Sequence, residues 1–251
     1  MRMRRALGRA RLYAARVWRV IQGRDLLVFP DTDGLLERHG SEYGGWVICR
    51  QTLNRKSCVY SVGIGEDVSF DLSLIHSYGV EVYGFDPTPR SIAWVAGQAL
   101  PAGFHFLPYG LAAVDGVRRF YAPVERQHVS YSMVEGARGV SGESTEAEVR
   151  SLRSLMAMTG HERIDLLKMD IEGAEYDVIE ALVSQEMPIR QLLVEFHHST
   201  VQDGVERTRR ALWLLRRAGY LLYAVSTSGR EFSFIYGGAG ASVTGEDAEV
   251  V

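Results

Sequence analysis

Two stretches of this chain end apolar runs in groups able to move protons or hold a cation. Leu166-Leu167-Lys168-Met169-Asp170-Ile171-Glu172-Gly173-Ala174-Glu175 finishes in three carboxylates, and Val194-Glu195-Phe196-His197-His198 in an acid and two imidazoles. Asp170 closes a strand-like run, so its carboxylate stands where a strand end meets a ligand. Glu172 and Glu175 fall in the first turn of the helix that follows, where acids complement the positive end of the helix dipole. For Glu175 that electrostatic role suffices as an explanation. Alternation along a strand puts Glu195 and His197 on one face. An acid and a histidine there could bind a divalent metal or serve as a general base. Asp170 and His197, with Glu195 orienting or co-ligating, are therefore the expected catalytic group and the expected metal ligands.

A third stretch, Val62-Gly63-Ile64-Gly65-Glu66-Asp67, supplies a turn whose glycines admit positive φ and close approach of a ligand. The helix that follows aims free N–H groups at that turn. Asp86 stands 23 residues beyond Gly63, close to the spacing at which a second-strand carboxylate meets ribose hydroxyls. A dinucleotide site wants Gly-x-Gly-x-x-Gly, but Val68 takes the third position. Glu66 and Asp67 also put negative charge where a pyrophosphate would lie. Those charges suit a cofactor that is itself positive, so S-adenosyl-L-methionine, with a sulfonium and an ammonium, fits better than NAD. The expected cofactor contacts are Gly63, Gly65, Glu66, Asp86 and Asp170, with Gly110 and Leu111 at the end of a third strand.

The elements that must position these groups alternate from Ser57 onward. Strands are predicted over 58–63, 80–85, 104–109, 164–169, 190–196, 220–226 and 231–236, with helices over 91–100, 145–159, 174–183 and 206–218 and a short one ending near Gly79. The short link Thr227-Ser228-Gly229-Arg230 makes the last two strands antiparallel. Residues 112–145 are rich in Gly, Ser and charge. They suggest a hairpin around Arg118 to Pro123 and a loop carrying His128, Ser130, Tyr131 and Ser132 that covers the acceptor. Alternating strands and helices imply a parallel sheet covered on both faces. Such sheets bind ligands beyond the carboxyl ends of their strands, at the switch point.

At 251 residues with 46% hydrophobic and 24% charged side chains, the chain is globular in composition, not fibrous or disordered. No apolar run nears the ~18 residues of a membrane-spanning helix. Cys49 and Cys58 are too few for a disulfide framework or a zinc site, so reduced thiols and a cytoplasmic location are expected. The net charge of −3 conceals eight arginines and no acid within residues 1–24, which leaves −11 on the rest. An acidic body argues against a nucleic-acid groove spread over it. Met1 to Ile21 reads as a basic amphipathic helix that packs one face on the domain and lacks the apolar core of a secretory signal. It could also touch an anionic membrane surface. The expected division is a basic extension over 1–40, a catalytic domain over 41–237 and an acidic tail over 238–251.

These motifs together resemble the FkbM family of S-adenosylmethionine-dependent methyltransferases. Leu166 to Glu175 is similar to its Lys-x-Asp-hydrophobic-Glu-Gly-Ala-Glu signature, and Val59 to Asp71 resembles its first glycine motif. Gly84 to Pro89 resembles its ribose-binding strand end, and Leu193 to His198 its later Glu-x-His stretch. Ser61 stands where an Asp often opens the glycine motif, and Asp67 where a third glycine often closes it. With Ser41-Glu42-Tyr43-Gly44-Gly45-Trp46 and Ser69-Phe70-Asp71, these departures mark a divergent branch. The resemblance implies an α/β, Rossmann-like, seven-stranded class I methyltransferase fold, mostly parallel with an antiparallel last strand. It implies O-methylation of a hydroxyl on a small-molecule or glycan acceptor, with or without Mg2+, and leaves a homo-oligomer open. The alternative reading is a non-catalytic domain that binds a partner or membrane through its basic N-terminus.

Overall fold

The computed structural model describes residues 16–124, 131–133, 140–187 and 189–238. Of the expected N-terminal helix, residues 16–21 are described and helical (α1), while residues 1–15 and 239–251 lie outside the described residues, as do His128 and Ser130. β1 (Leu36–His39) and β2 (Trp46–Cys49) pair antiparallel as a small hairpin. The hairpin is fixed to the main sheet through buried Gln191. That side chain accepts from Cys49 N at 2.8 Å and donates to Cys49 O at 3.1 Å. The expected boundary after residue 40 falls inside this hairpin.

The central sheet is built from β3 (Cys58–Val62), β4 (Glu81–Phe85), β5 (Phe104–Leu107), β9 (Ile164–Met169), β10 (Ile189–Glu195), β11 (Tyr220–Val225) and β12 (Glu231–Tyr236). Its order is β11-β12-β10-β9-β3-β4-β5. β5, β4, β3, β9 and β10 run parallel to one another, and β12 is antiparallel to both β10 and β11. This is the expected seven-stranded, mostly parallel sheet with the last strand reversed. β9 is buried at every residue, as a strand covered on both faces must be. The chain leaves β3 for β4 on one side and returns to β9 on the other, so the switch point lies between β3 and β9.

Two apolar layers cover the sheet. One holds Tyr60, Phe85, Leu167, Ile179 and Phe196, the other Ile48, Phe70, Val82, Leu166 and Leu193. The helices are α2 (Ser69–Tyr78), α3 (Pro89–Ala96), α4 (Leu152–Thr159), α5 (Glu175–Ser184) and α6 (Gly204–Arg217). Local chemistry sets their ends. Pro89 opens α3 behind a Thr88 cap that accepts from Ser91 N, and Ser151 caps α4 in the same way through Ser154 N.

Three expectations are corrected. The third strand stops at Leu107, and Gly110–Leu111 form a separate strand, β6, in a second sheet of order β6-β8-β7. Within that sheet β7 (Gly116–Pro123) pairs antiparallel with β8 (Val140–Arg150), so the hairpin expected around 118–123 joins two long strands. Residues 145–150, expected as the start of a helix, belong to β8, and α4 begins only at Leu152. Pairing with β7 overrides the helix-forming composition of Glu146-Ala147-Glu148.

Candidate active site

One cleft of about 970 Å³ opens at the carboxyl ends of β3, β4, β9 and β10. Gly63, Gly65, Glu66, Asp86, Gly110, Leu111, Asp170, Glu195 and His197 all line it, so the expected catalytic and cofactor-binding residues reach the same cavity. Tyr131 and Ser132 line it as well.

The glycine turn is tightly supported. Gly63 has φ +79°, and a Cβ there would lie 1.8 Å from the Asp170 carbonyl oxygen. The Lys168 ammonium, brought beneath the turn by β9, donates to Gly63 O at 2.7 Å. Asp86, at the end of β4, accepts from Gly65 N at 3.0 Å through one oxygen. Through the other it accepts from Thr88 N at 2.9 Å and Thr88 Oγ1 at 2.7 Å. A carboxylate offers about four acceptor positions, so Asp86 organises the turn and keeps capacity for about one more donor. Glu66 holds Arg90 through two bonds, at 2.7 and 3.1 Å. Asp67 accepts from Ser41 Oγ at 2.7 Å and Ser69 N at 2.7 Å. The two acids expected to face a cationic cofactor thus also bind protein groups, which sequence spacing does not reveal.

His197 is the hub of the floor. It is 4% exposed. Its backbone N donates to Glu175 Oε1 at 2.8 Å, and that same oxygen lies 3.5 Å from its Nδ1. Nε2 faces the cleft, 3.1 Å from Glu172 Oε2, 3.7 Å from Asp170 Oδ1 and 3.9 Å from Glu195 Oε1. Burial by itself would lower the imidazole pKa. The Glu175 carboxylate beside Nδ1 and the charges of Glu172 and Asp170 outweigh it and hold the ring well above the usual histidine range. Glu195 is pushed up to about 8 by burial first and then by the Asp170 charge, although Arg230 stands 3.4 Å away.

Asp170, Glu172 and His197 each offer a ligand atom within 4.8 Å of the others. The cluster contains Glu172 where the sequence suggested Glu195, whose Oε1 lies 3.4 Å from Arg230. Asp170 Oδ1 is buried without a hydrogen-bond partner, and Glu175 behind the ring leaves Nε2 aimed at the cleft. An imidazole backed by a carboxylate with two further carboxylates in front is a usable cation site. The imidazole suits a transition-series ion better than Mg2+, which prefers oxygen.

Sequence reasoning missed Glu172 and Glu175 as site groups. It accounted for both by the helix dipole, whereas Glu175 is fully buried and points back under the turn, accepting from Gly173 N at 2.8 Å. A positive φ at Glu172 and Gly173 makes that reversal. It also missed Arg230, from the β11–β12 link, and Tyr43, from the β1–β2 loop, both of which line the cleft.

Residues 50–222 match the family model described as the methyltransferase FkbM domain. The chain belongs to this family. Among curated proteins, this FkbM-domain chain is 27% identical over 183 residues to the probable methyltransferase-like protein 24 of Homo sapiens, and 27% identical over 177 residues to that of Rattus norvegicus. Each alignment takes in 66% of this chain but only 42% of the relative, so the chain spans less than half the length of these curated relatives. Among solved structures, methyltransferase FkbM from Methylobacillus flagellatus KT aligns with a TM-score of 0.45 at 13% identity, over 73% of this chain and 44% of that one. The Methanococcus jannaschii fibrillarin pre-rRNA processing protein aligns at 0.43 and 11% identity, over 86% of this chain and 72% of its own. No helix among the described residues is long and apolar enough to cross a membrane.

Proposed function

We propose that this FkbM-domain chain is an S-adenosylmethionine-dependent O-methyltransferase acting on a hydroxyl of a small-molecule or glycan acceptor. One observation carries the reading: the glycine turn, the second-strand carboxylate and the acid–histidine floor line a single cleft at the strand ends beside the switch point. Bound S-adenosylmethionine would supply an electrophilic methyl on its sulfonium.

The chain's own residues do the rest. Gly63 and Gly65 let the backbone approach the cofactor, and Asp86 keeps an acceptor position for a ribose hydroxyl. Holding the reactants in line accounts for most of the acceleration. An alkyl hydroxyl gives up its proton only with help. Asp170 Oδ1, buried without a partner, is the group to receive it, and His197 Nε2, 3.7 Å away, balances the charge. A divalent ion held by Asp170, Glu172 and His197 would act instead by polarising the acceptor oxygen.

Calorimetric titration with S-adenosylhomocysteine tests the cofactor. Micromolar binding, about −8 kcal/mol, is expected, with Asp86→Ala clearly weaker. Repeating it, and an assay of methyl transfer to hydroxylated acceptors, with divalent ions and with chelator tests the metal. Asp170→Asn should bind the cofactor but fail to turn over. Full turnover by Asp170→Asn would remove it from the mechanism.

A further inference from the structure

The glycine-rich segment Gly40-Ser41-Glu42-Tyr43-Gly44-Gly45-Trp46, between β1 and β2, has no role in the reaction as proposed above. It is nonetheless built against it. Glu42, Tyr43, Gly44, Gly45 and Trp46 line the same cleft as Gly63, Gly65 and Asp86. Ser41 stitches the segment to the glycine turn: Oγ donates to Asp67 at 2.7 Å, and N donates to Ser69 Oγ at 2.8 Å. Gly44 N donates back to Ser41 Oγ at 2.8 Å. Arg38 gathers the carbonyls of Glu42 and Gly45 at 3.3 and 3.4 Å, and Trp46 is buried at the far end. The packing leaves no room for side chains along the way. A Cβ on Gly44 would lie 2.6 Å from Asp67 Oδ2, and one on Gly45 2.4 Å from Ser41 O.

A backbone held this firmly carries at its tip a tyrosine that is 83% exposed. The Tyr43 phenol is within electrostatic reach of Asp170, Glu172, Glu195 and Arg230. A large aromatic ring left in solvent beside a cleft, on a preorganised support, is a contact waiting for a ligand. The position of Asp67 also acquires a reason. Its carboxylate latches the segment to the glycine turn.

We propose that residues 40–46 form a fixed strap along the cofactor cleft and that the Tyr43 ring closes over the methyl-bearing end of the bound cofactor, screening it from water. The inference rests on the S-adenosylmethionine reading above.

The test titrates wild type, Tyr43→Phe, Tyr43→Ala and Ser41→Ala with S-adenosylhomocysteine and follows dissociation by stopped flow. Tyr43→Ala and Ser41→Ala should bind at least about tenfold more weakly and dissociate faster, as expected when an aromatic ring loses its buried contact. Tyr43→Phe, which keeps the ring, should stay close to wild type. In wild type, amide exchange over 41–46 should slow when S-adenosylhomocysteine is added. Wild-type binding that Tyr43→Ala leaves unchanged, or equal loss in Phe and Ala, would overturn the strap alone. Failure of wild type to bind would instead overturn the cofactor reading, and the strap with it. Tyr43 is exposed, so its variants should melt with wild type and their binding can be read directly.

Discussion

At the scale of single residues, two buried carboxylates do opposite work. Glu175 is completely enclosed, yet it accepts from the backbone of His197 and of Gly173 and faces the imidazole. Removing it strands a buried cationic ring and two N–H groups. Glu175→Ala should therefore lose about 3–5 kcal/mol in denaturant unfolding, with Glu175→Gln recovering part of the loss through neutral hydrogen bonds. A loss below 1 kcal/mol in the alanine variant would show that the ring finds other support. Asp71, on α2 beneath the glycine turn, is the contrary case. Burial raises its carboxyl from 3.8 to about 6, against the pull of the Lys168 charge. A raised native pKa means the folded state holds the proton more tightly than the unfolded chain does. That contribution is complete below about 3.8 and is lost as pH climbs through 6. Between pH 4 and pH 7 the unfolding free energy of wild type should fall by about 2 kcal/mol relative to Asp71→Asn. Urea melts at the two pH values check this, and a difference independent of pH would contradict it.

At the scale of elements, the site depends on two turns pressed together, one after β3 and one after β9. Gly63 occupies positive φ with its α-carbon against the Asp170 carbonyl. Gly63→Ala adds steric overlap to backbone strain, at about 2–4 kcal/mol in all, and must displace the strand end that carries Asp170. Its melting temperature should drop and its binding of S-adenosylhomocysteine should vanish. Retained binding would mean that the turn can move independently of β9. These elements were legible in the sequence because each strand is a short apolar run closed by a glycine, an acid or a turn. Cys58-Val59-Tyr60-Ser61-Val62 and Ile164-Asp165-Leu166-Leu167-Lys168-Met169 are examples. β8 was not legible: Ser144-Thr145-Glu146-Ala147-Glu148 is polar and carries no apolar alternation. Pairing with β7, and at its end with β6, makes it a strand. The same limit applied within the site. Asp86, Asp170 and His197 stand at strand ends, where spacing points to them. Glu172, Arg230 and Tyr43 enter the cleft through a reversed turn, a hairpin link and a separate hairpin, and such approaches leave no period in the chain.

At the scale of the whole molecule, residues 16–25, at the end of the arginine-rich segment, are tied into the domain. Asp25 is buried, and His198, the neighbour of the hub imidazole, stands 3.3 Å from it. Arg19 bonds it at 3.0 Å and Arg16 lies 3.8 Å away, both from α1. Arg16 also reaches Leu26 O at 2.8 Å and Ser226 O at 3.4 Å, and Arg19 reaches Ser228 O at 3.4 Å. The β11–β12 link is thus gripped just before Arg230 and Glu231, which line the cleft. Two truncations separate an arm that merely extends from one that supports. Removing residues 1–15 keeps both arginines and should leave the melting temperature close to that of the full chain. Removing residues 1–24 leaves Asp25 buried with His198 and its own turn as partners. The loss of a buried pair costs about 3–5 kcal/mol, which in a domain of this size lowers melting by on the order of 10 °C. Binding of S-adenosylhomocysteine should weaken in the same variant, because the link that carries Arg230 is released. Equal melting of the two truncations would show that the ion cluster contributes nothing to stability and that α1 is separable from the domain.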